Sequence, residues 1–331
     1  MENRMVTRKQ SRHQITMSVL DKDVRKAVAL GDVAKVRQAL EAGISPNDVD
    51  NNGWTLLHLA ASRGRDRVLR LLLEEGGKPE IRDIIGGFTC LHYAAMHGRT
   101  RLARLLLEYD KSKRCELVDI PSRDGWTPLH VAAHYGRDSF VRLLVMYSAT
   151  VDPLSVKGTT PLQLAIIREK QSCVKVLLDN QANIDIQRGF PLRYTIIKGN
   201  HDAARLLLNR GANPNLSRED DGQTPLHLAA IKNDNLNCRL LYSFGASCHA
   251  CGDDGKTPLD TYKDVYTNKE SAPCFKFLQG ATSNPRKLQD TCRLTIRHAI
   301  GKTRLHLIDN LPLSILMTNY LRYKYDDFCG L

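Results

Sequence analysis

Four histidines suggest chemistry before anything else in the chain does. His58, His92, His130 and His227 each follow a threonine by three residues (Thr55, Thr89, Thr127 and Thr224). A histidine beside a hydroxyl is the raw material of nucleophile–base catalysis, and a group of histidines is the raw material of a zinc site. Either use requires the side chains to converge. These four are spread about one phrase apart, so each belongs to its own structural unit, and no acid–base–nucleophile set accompanies them. The pair in Cys248-His249-Ala250-Cys251 has the spacing of half a zinc site, but Cys238 and Cys274 nearby are each single. The expectation is therefore no catalytic residue, no metal and no cofactor.

The phrase that carries these histidines recurs along most of the chain. It reads Thr55-Leu56-Leu57-His58, Thr89-Cys90-Leu91-His92 and Thr127-Pro128-Leu129-His130, then Thr160-Pro161-Leu162-Gln163, Phe190-Pro191-Leu192-Arg193, Thr224-Pro225-Leu226-His227 and Thr257-Pro258-Leu259-Asp260. The intervals are 34, 38, 33, 30, 34 and 33 residues. Threonine suits a helix N-cap, and proline suits the first helical position, where no N–H is needed. The residue three after the threonine occupies the place of the reciprocating Glu or Gln in a capping box. An Ala pair then lets two helices pack closely, and a late glycine permits the left-handed turn that stops a helix. A second apolar stretch follows in most units, for example Val68 to Leu73. Residues 24–49 read as a first unit without the phrase, giving about eight units between 20 and 280. The long interval places extra residues at Lys111-Ser112-Lys113-Arg114-Cys115, as a longer finger or a helix junction. The unit at Phe190 fits least well. One unit cannot bury its own apolar side, so stability must come from stacking.

These residues are the ankyrin-repeat signature, and the chain resembles that family. The resemblance implies an all-α fold, an ankyrin-repeat solenoid of helix–turn–helix units with finger turns. It also implies target binding through the fingertips and the inner face of each first helix. On that surface the residues before the threonines include Trp54, Phe88 and Trp126, and the turn after each Ala pair adds Arg63, His97 and Tyr135. Aromatic and Arg side chains dominate binding hot spots, so these six are the candidate substrate-binding residues. If they read a partner, replacing Trp54 and Trp126 by Ala abolishes capture and leaves the thermal midpoint nearly unchanged. If they stiffen the fingers, stability falls instead. A basic column at Gly64-Arg65, Gly98-Arg99 and Gly136-Arg137 could serve an acidic or phosphorylated ligand, or be a solvated charged face.

After Gly280 the period stops, and Asn284-Pro285 marks a boundary. Leu288, Cys292, Ile296, Ala299 and Ile300 then form one helical stripe, with Arg293 and Arg297 away from it. Gly301 can end this helix, and a second short pattern follows through Leu316, Tyr320 and Tyr323. About 45 residues of short helices are too few for an independent core. The segment must find a partner or dock on the last repeat.

This segment resembles a SOCS box, a small helical module. The resemblance implies an elongin-binding ridge of Leu288, Cys292 and Ile296, preceded by Lys287 where the family prefers Ser, Thr or Pro. It also implies a cullin-selecting phrase at Leu311, Pro312, Leu313, Met317, Tyr320 and Leu321, of cullin-5 type, with Ser314 in place of a proline. The whole chain is identified as similar to the ankyrin repeat and SOCS box family, over roughly residues 20 to 325. Its expected organisation is a basic N-terminus (1–19), repeats (20–280), box (284–325) and tail (326–331). The implied function is non-catalytic: a substrate receptor of an E3 ubiquitin ligase. Its implied partners are elongin B/C, cullin-5 with its RING subunit, and an unidentified protein substrate bound for ubiquitination and proteasomal degradation.

Composition narrows the setting. Among 331 residues, 48 Lys and Arg against 36 Asp and Glu give a net charge of +12, while 42% of residues are hydrophobic. A packed core is therefore possible and acidic partners are plausible. The alternative reading is a non-degradative ankyrin scaffold on chromatin or nucleic acid, helped by Arg8-Lys9-Gln10-Ser11-Arg12. No apolar run reaches the ~18 residues of a membrane helix, and the basic first twenty residues do not read as a secretory signal. Nine cysteines, an odd number mostly inside apolar segments, suit a reducing compartment. The expected location is cytoplasmic, nuclear or both.

Overall fold

The computed structural model describes residues 22–109, 114–267, 271–284 and 286–323. The basic N-terminus, Lys111 to Lys113 of the long interval, Pro285 and the tail with Cys329 lie outside these residues. Among the described residues the chain is helical without strands, and no helix is long and apolar enough to cross a membrane. It divides into two compact units, one up to Leu177 and one from Leu178 onward.

In the first unit a helix over residues 22–30 pairs with Val33–Glu41. Next come Leu56–Arg63 with Asp66–Glu74, Cys90–His97 with Thr100–Tyr109, and Pro128–Tyr135 with Asp138–Met146. The helix Pro161–Ile167 closes the series, and its companion Gln171–Asp179 runs over the boundary. A short helix, Arg114–Val118, sits within the long interval. In the second unit the pairs are Ile186–Lys198 with His201–Asn209, Pro225–Ile231 with Asn235–Ser243, and Pro258–Val265 with Pro273–Ser283. Leu288–Ile300, a 3-10 segment Lys302–Asn310 and Ile315–Leu321 follow.

The repeated histidine is a staple. Its Nδ1 accepts the backbone N–H of its own threonine at 3.1 Å in all four repeats that carry it. That leaves the proton on Nε2, which donates to the carbonyl just before the next threonine. The distances are 3.0 Å from His58 to Phe88, 2.9 Å from His92 to Trp126, 2.9 Å from His130 to Thr159 and 3.0 Å from His227 to Lys256. One side chain thus caps its own helix and binds the next finger. Burial holds all four below the usual histidine range, and pushes His92 down to about 4. Gln163 and Asp260 complete capping boxes where histidine is absent. At the irregular unit, Gln187, Arg188 and Gly189 are left-handed inside Ile186–Lys198, and the Arg193 guanidinium holds the carbonyls of Gln187 and Arg188.

Fingers in the first unit are joined by backbone bonds. The amides of Ile84, Arg123 and Val156 donate to Asn52, Gly86 and Asp124 at 3.1, 2.9 and 2.9 Å. The finger before Thr89 is further fixed by the buried carboxylate of Asp83. It accepts the amides of Gly86 and Gly87 at 2.8 Å and the Tyr93 hydroxyl at 2.5 Å. Burial opposes the charge on Asp83, but these donors outweigh it and hold its carboxyl below the usual range.

Candidate functional site

The six residues expected to read a target separate into two sets. Trp54, Phe88 and Trp126 are only half-exposed. The Trp54 ring lies 4.5 Å from Tyr93 of the next repeat, Phe88 stacks on His92 at 5.1 Å, and Trp126 meets His134 at 5.1 Å. Each ring therefore spends part of its surface on the scaffold and leaves part of it open. A large ring at the base of a finger has a helix beneath it and packs there. Arg63, His97 and Tyr135, at the ends of the inner helices, are exposed.

Two members of the basic column beside them, Arg65 and Arg137, are bonded to the scaffold. Arg65 Nε donates to the Ala29 carbonyl at 2.8 Å, and Arg137 Nε donates to the Met96 carbonyl at 3.1 Å. Each cation covers the C-terminal end of the preceding inner helix, where unpaired carbonyls and the helix dipole favour positive charge. Of the Cys-x-x-Cys pair, Cys248 is buried and Cys251 is exposed, so the two thiols face different surroundings.

The terminal helix Leu288–Ile300 presents its apolar ridge outward. Leu288 is 80% exposed, and Cys292 and Ile296 are exposed as well. The opposite face carries Arg293 and Arg297, at only 3% and 7% exposure. Arginine faces inward because the surface beneath it is a set of helix ends. Arg297 Nη2 donates to the carbonyls of Leu208 and Asn209 at 3.1 Å each, and Nη1 donates to Leu321 at 2.7 Å. Its guanidinium also lies over Phe244 (5.3 Å) and Tyr323 (5.2 Å). Arg293 lies over Tyr320 and Tyr323 at 4.2 and 4.3 Å. Arg286 bonds the carbonyls of Tyr242 and Ala246, and Tyr323 OH donates to Ser243 at 2.9 Å. A partner or docking on the last repeat was expected for this segment. These bonds instead go to the outer helices His201–Asn209 and Asn235–Ser243 of the two repeats before it.

The second phrase is also redistributed. Leu311, Pro312 and Leu313 are exposed in an extended stretch. Met317 and Tyr320 line a groove with Leu288, Cys292 and Leu316, so they share a surface with the first ridge. Leu321, expected at a contact, is 1% exposed and packs with Leu305 and Ile308 as the core of this segment. Its position on the inner face of Ile315–Leu321 makes it structural. Ser314 caps that helix by accepting the Met317 amide at 3.2 Å, a capping role proline could not fill. Lys287 makes no side-chain cap at its own helix start. Sequence reasoning missed Ile315, which is strongly exposed beside Leu316; an aliphatic pair directly after a capping serine was the available signal.

Comparison with known proteins agrees with this architecture. The description "Ankyrin repeats" matches residues 25–116, 111–188 and 192–262, and "SOCS box" matches residues 284–322. Ankyrin repeat and SOCS box protein 5 of Bos taurus is 35% identical over 136 residues, 41% of this chain and 39% of the relative. Ankyrin repeat and SOCS box protein 11 of Homo sapiens is 30% identical over 177 residues, 52% of this chain and 51% of the relative. The chain spans about half the length, or less, of these curated relatives.

Proposed function

This chain belongs to the ankyrin-repeat family and carries a SOCS box, and we propose that it is the substrate receptor of an E3 ubiquitin ligase built on elongin B/C, cullin-5 and a RING subunit. The observation that carries this reading is the outward ridge of Leu288, Cys292 and Ile296, held away from the repeats by an arginine face that is itself consumed in docking. An apolar ridge anchored from behind is a surface built for a partner. Elongin C covers the groove of Leu288, Cys292, Met317 and Tyr320, and cullin-5 meets the exposed Leu311-Pro312-Leu313 stretch. The repeats hold the target, through Arg63, His97, Tyr135 and the outer edges of Trp54, Phe88 and Trp126.

The chain contributes proximity and no bond chemistry of its own. Tethering a target beside a charged conjugating enzyme turns a bimolecular encounter into a local one, and ubiquitination then commits the target to proteasomal degradation. The setting is cytoplasm, nucleus or both. Within the family we assign the nearest kinship to the seventh member, on Ile85-Gly86-Gly87-Phe88-Thr89 and the stretch from Asp124 to Phe140.

Co-purification tests the reading. Leu288→Ala with Cys292→Phe is expected to lose elongin B/C. Replacing Leu311 and Pro312 by Ala is expected to lose cullin-5 and keep elongin. Recovery of the complete ligase with both variants would overturn the proposal.

A further inference from the structure

Two columns of side chains run along the ends of the inner helices in the first unit. One holds Arg63, His97, Tyr135 and Arg168, the residues eight after each repeat's threonine, and all four are exposed. The other holds Arg65, Arg99, Arg137 and Lys170, two positions further on. Each member of the second column lies across the glycine that ends the preceding inner helix. A Cβ on Gly31, Gly64, Gly98 or Gly136 would come within 3.2, 2.9, 3.0 or 2.8 Å of the side chain above it. These glycines leave the room in which the cationic stems lie flat, so the charges are held in place before any partner arrives, which lowers the entropy lost on binding.

We propose that this double column is the docking surface for an acidic stretch of a partner protein, whose carboxylates fall one repeat apart. The proposal rests on the target-binding reading above and names the chemistry of the target.

Charge complementarity carries it. Among the described residues, Arg63, Arg99, Arg137, Arg168 and Lys170 have no carboxylate within ion-pair distance. Two histidines register the resulting field. His97 is held below its ordinary range by burial and then by Arg99, Arg137 and Arg63, with no carboxylate acting the other way. His134 is lowered by burial and then by Arg168 and Lys170. The neighbouring acids are Asp66, Asp138 and Glu169. Asp66 is engaged by Arg101 at 3.8 Å, and Asp66 and Asp138 occupy the first turns of outer helices, where the dipole favours them. This interleaving favours a polypeptide over a nucleic acid. A continuous phosphate chain must pass Glu169 with its charge, whereas a peptide can place a neutral residue there.

The test uses the full-length protein and fluorescence anisotropy with three probes: a labelled peptide alternating Glu and Ala, its Gln–Ala counterpart, and an oligothymidylate of matched length. The Glu peptide is expected to bind more tightly than either other probe and to weaken as salt is added. The combined variant Arg63→Gln, Arg99→Gln and Arg168→Gln is expected to bind it roughly tenfold more weakly. Its thermal midpoint should hold, since among the described residues none of the three side chains makes a hydrogen bond to the fold. Equal binding by variant and wild type, equal binding of the Gln peptide, or tighter binding of the oligothymidylate overturns the proposal. Elongin B/C co-purification is read in parallel. Its loss from wild type would sink the ligase reading alone, because peptide capture is measured without it.

Discussion

Arg297 Nη2 stands 3.1 Å from the carbonyl oxygen of Leu208, a bond that spans 89 residues of sequence. It joins the terminal helix to the end of a repeat helix, and the same guanidinium holds Leu321 on the far side of the box. The side chain is therefore buried with its donors matched to carbonyls at helix ends. Through it the position of the outward ridge is fixed relative to the repeats of the second unit.

Arg297→Met keeps most of the volume and removes the donors, exposing the cost of buried carbonyls without partners. We expect a loss of about 3 kcal/mol, and faster amide exchange across residues 288–323. Arg297→Lys should restore little, because an ammonium cannot span the same acceptors as a planar fork. Urea denaturation followed by exchange mass spectrometry reads both effects. Unchanged exchange in the box would show that the docking bonds do not hold it.

Leu288 and Leu321 separate contact from scaffold. Leu288→Ala removes an exposed side chain and should leave the unfolding midpoint where it is, while weakening elongin B/C capture. Leu321→Ala empties part of a small core and should cost about 2–3 kcal/mol. A reversed pattern would return Leu321 to the contact surface.

The histidine staples predict a stability that depends on pH. Each accepts a backbone N–H on Nδ1, so a second proton would set two N–H groups against each other. Their folded pKa values lie below the unfolded value of 6.5, to about 4 for His92. The unfolded chain thus binds protons first as pH falls. Stability should be complete above 6.5 and should decline as the medium is acidified toward 4. His92→Gln borrows the arrangement of Gln163 and should shallow this slope. Thermal melts across that range provide the measurement, and a slope identical to wild type would remove His92 from the account.

Trp54→Ala separates the two roles open to the aromatic row. Losing the contact with Tyr93 at the base of the finger should cost about 2–4 kcal/mol. An unchanged midpoint, with target capture lost, would restore the ring as a binding anchor.

The repeat architecture was legible because its signals are local. Thr–Pro caps, the reciprocating third residue, the Ala pair and the closing glycine act within one turn of their neighbours, and the period exposes them. Legibility ended where a side chain had two possible environments. The residues before each threonine read equally well as anchors or as braces, and only the folded chain shows the contacts with Tyr93 and His134 that let part of each tryptophan ring brace a finger. Likewise Arg65 and Arg137 looked like surface charges until the carbonyls of the preceding helices were seen beneath them.

The order of amino acids by itself determined the helical repeats and the amphipathic stripe of the terminal helix, since periodicity and capping are properties of neighbours along the chain. It could not determine which side of that stripe faces water. Hydrophobic patterning assigns an apolar ridge to the interior by default, and here tertiary packing decided the opposite. Carbonyls at the ends of His201–Asn209 and Asn235–Ser243, with lone pairs still available, bind guanidinium groups better than they bind leucine. The arginines therefore turned inward and left Leu288, Cys292 and Ile296 outside.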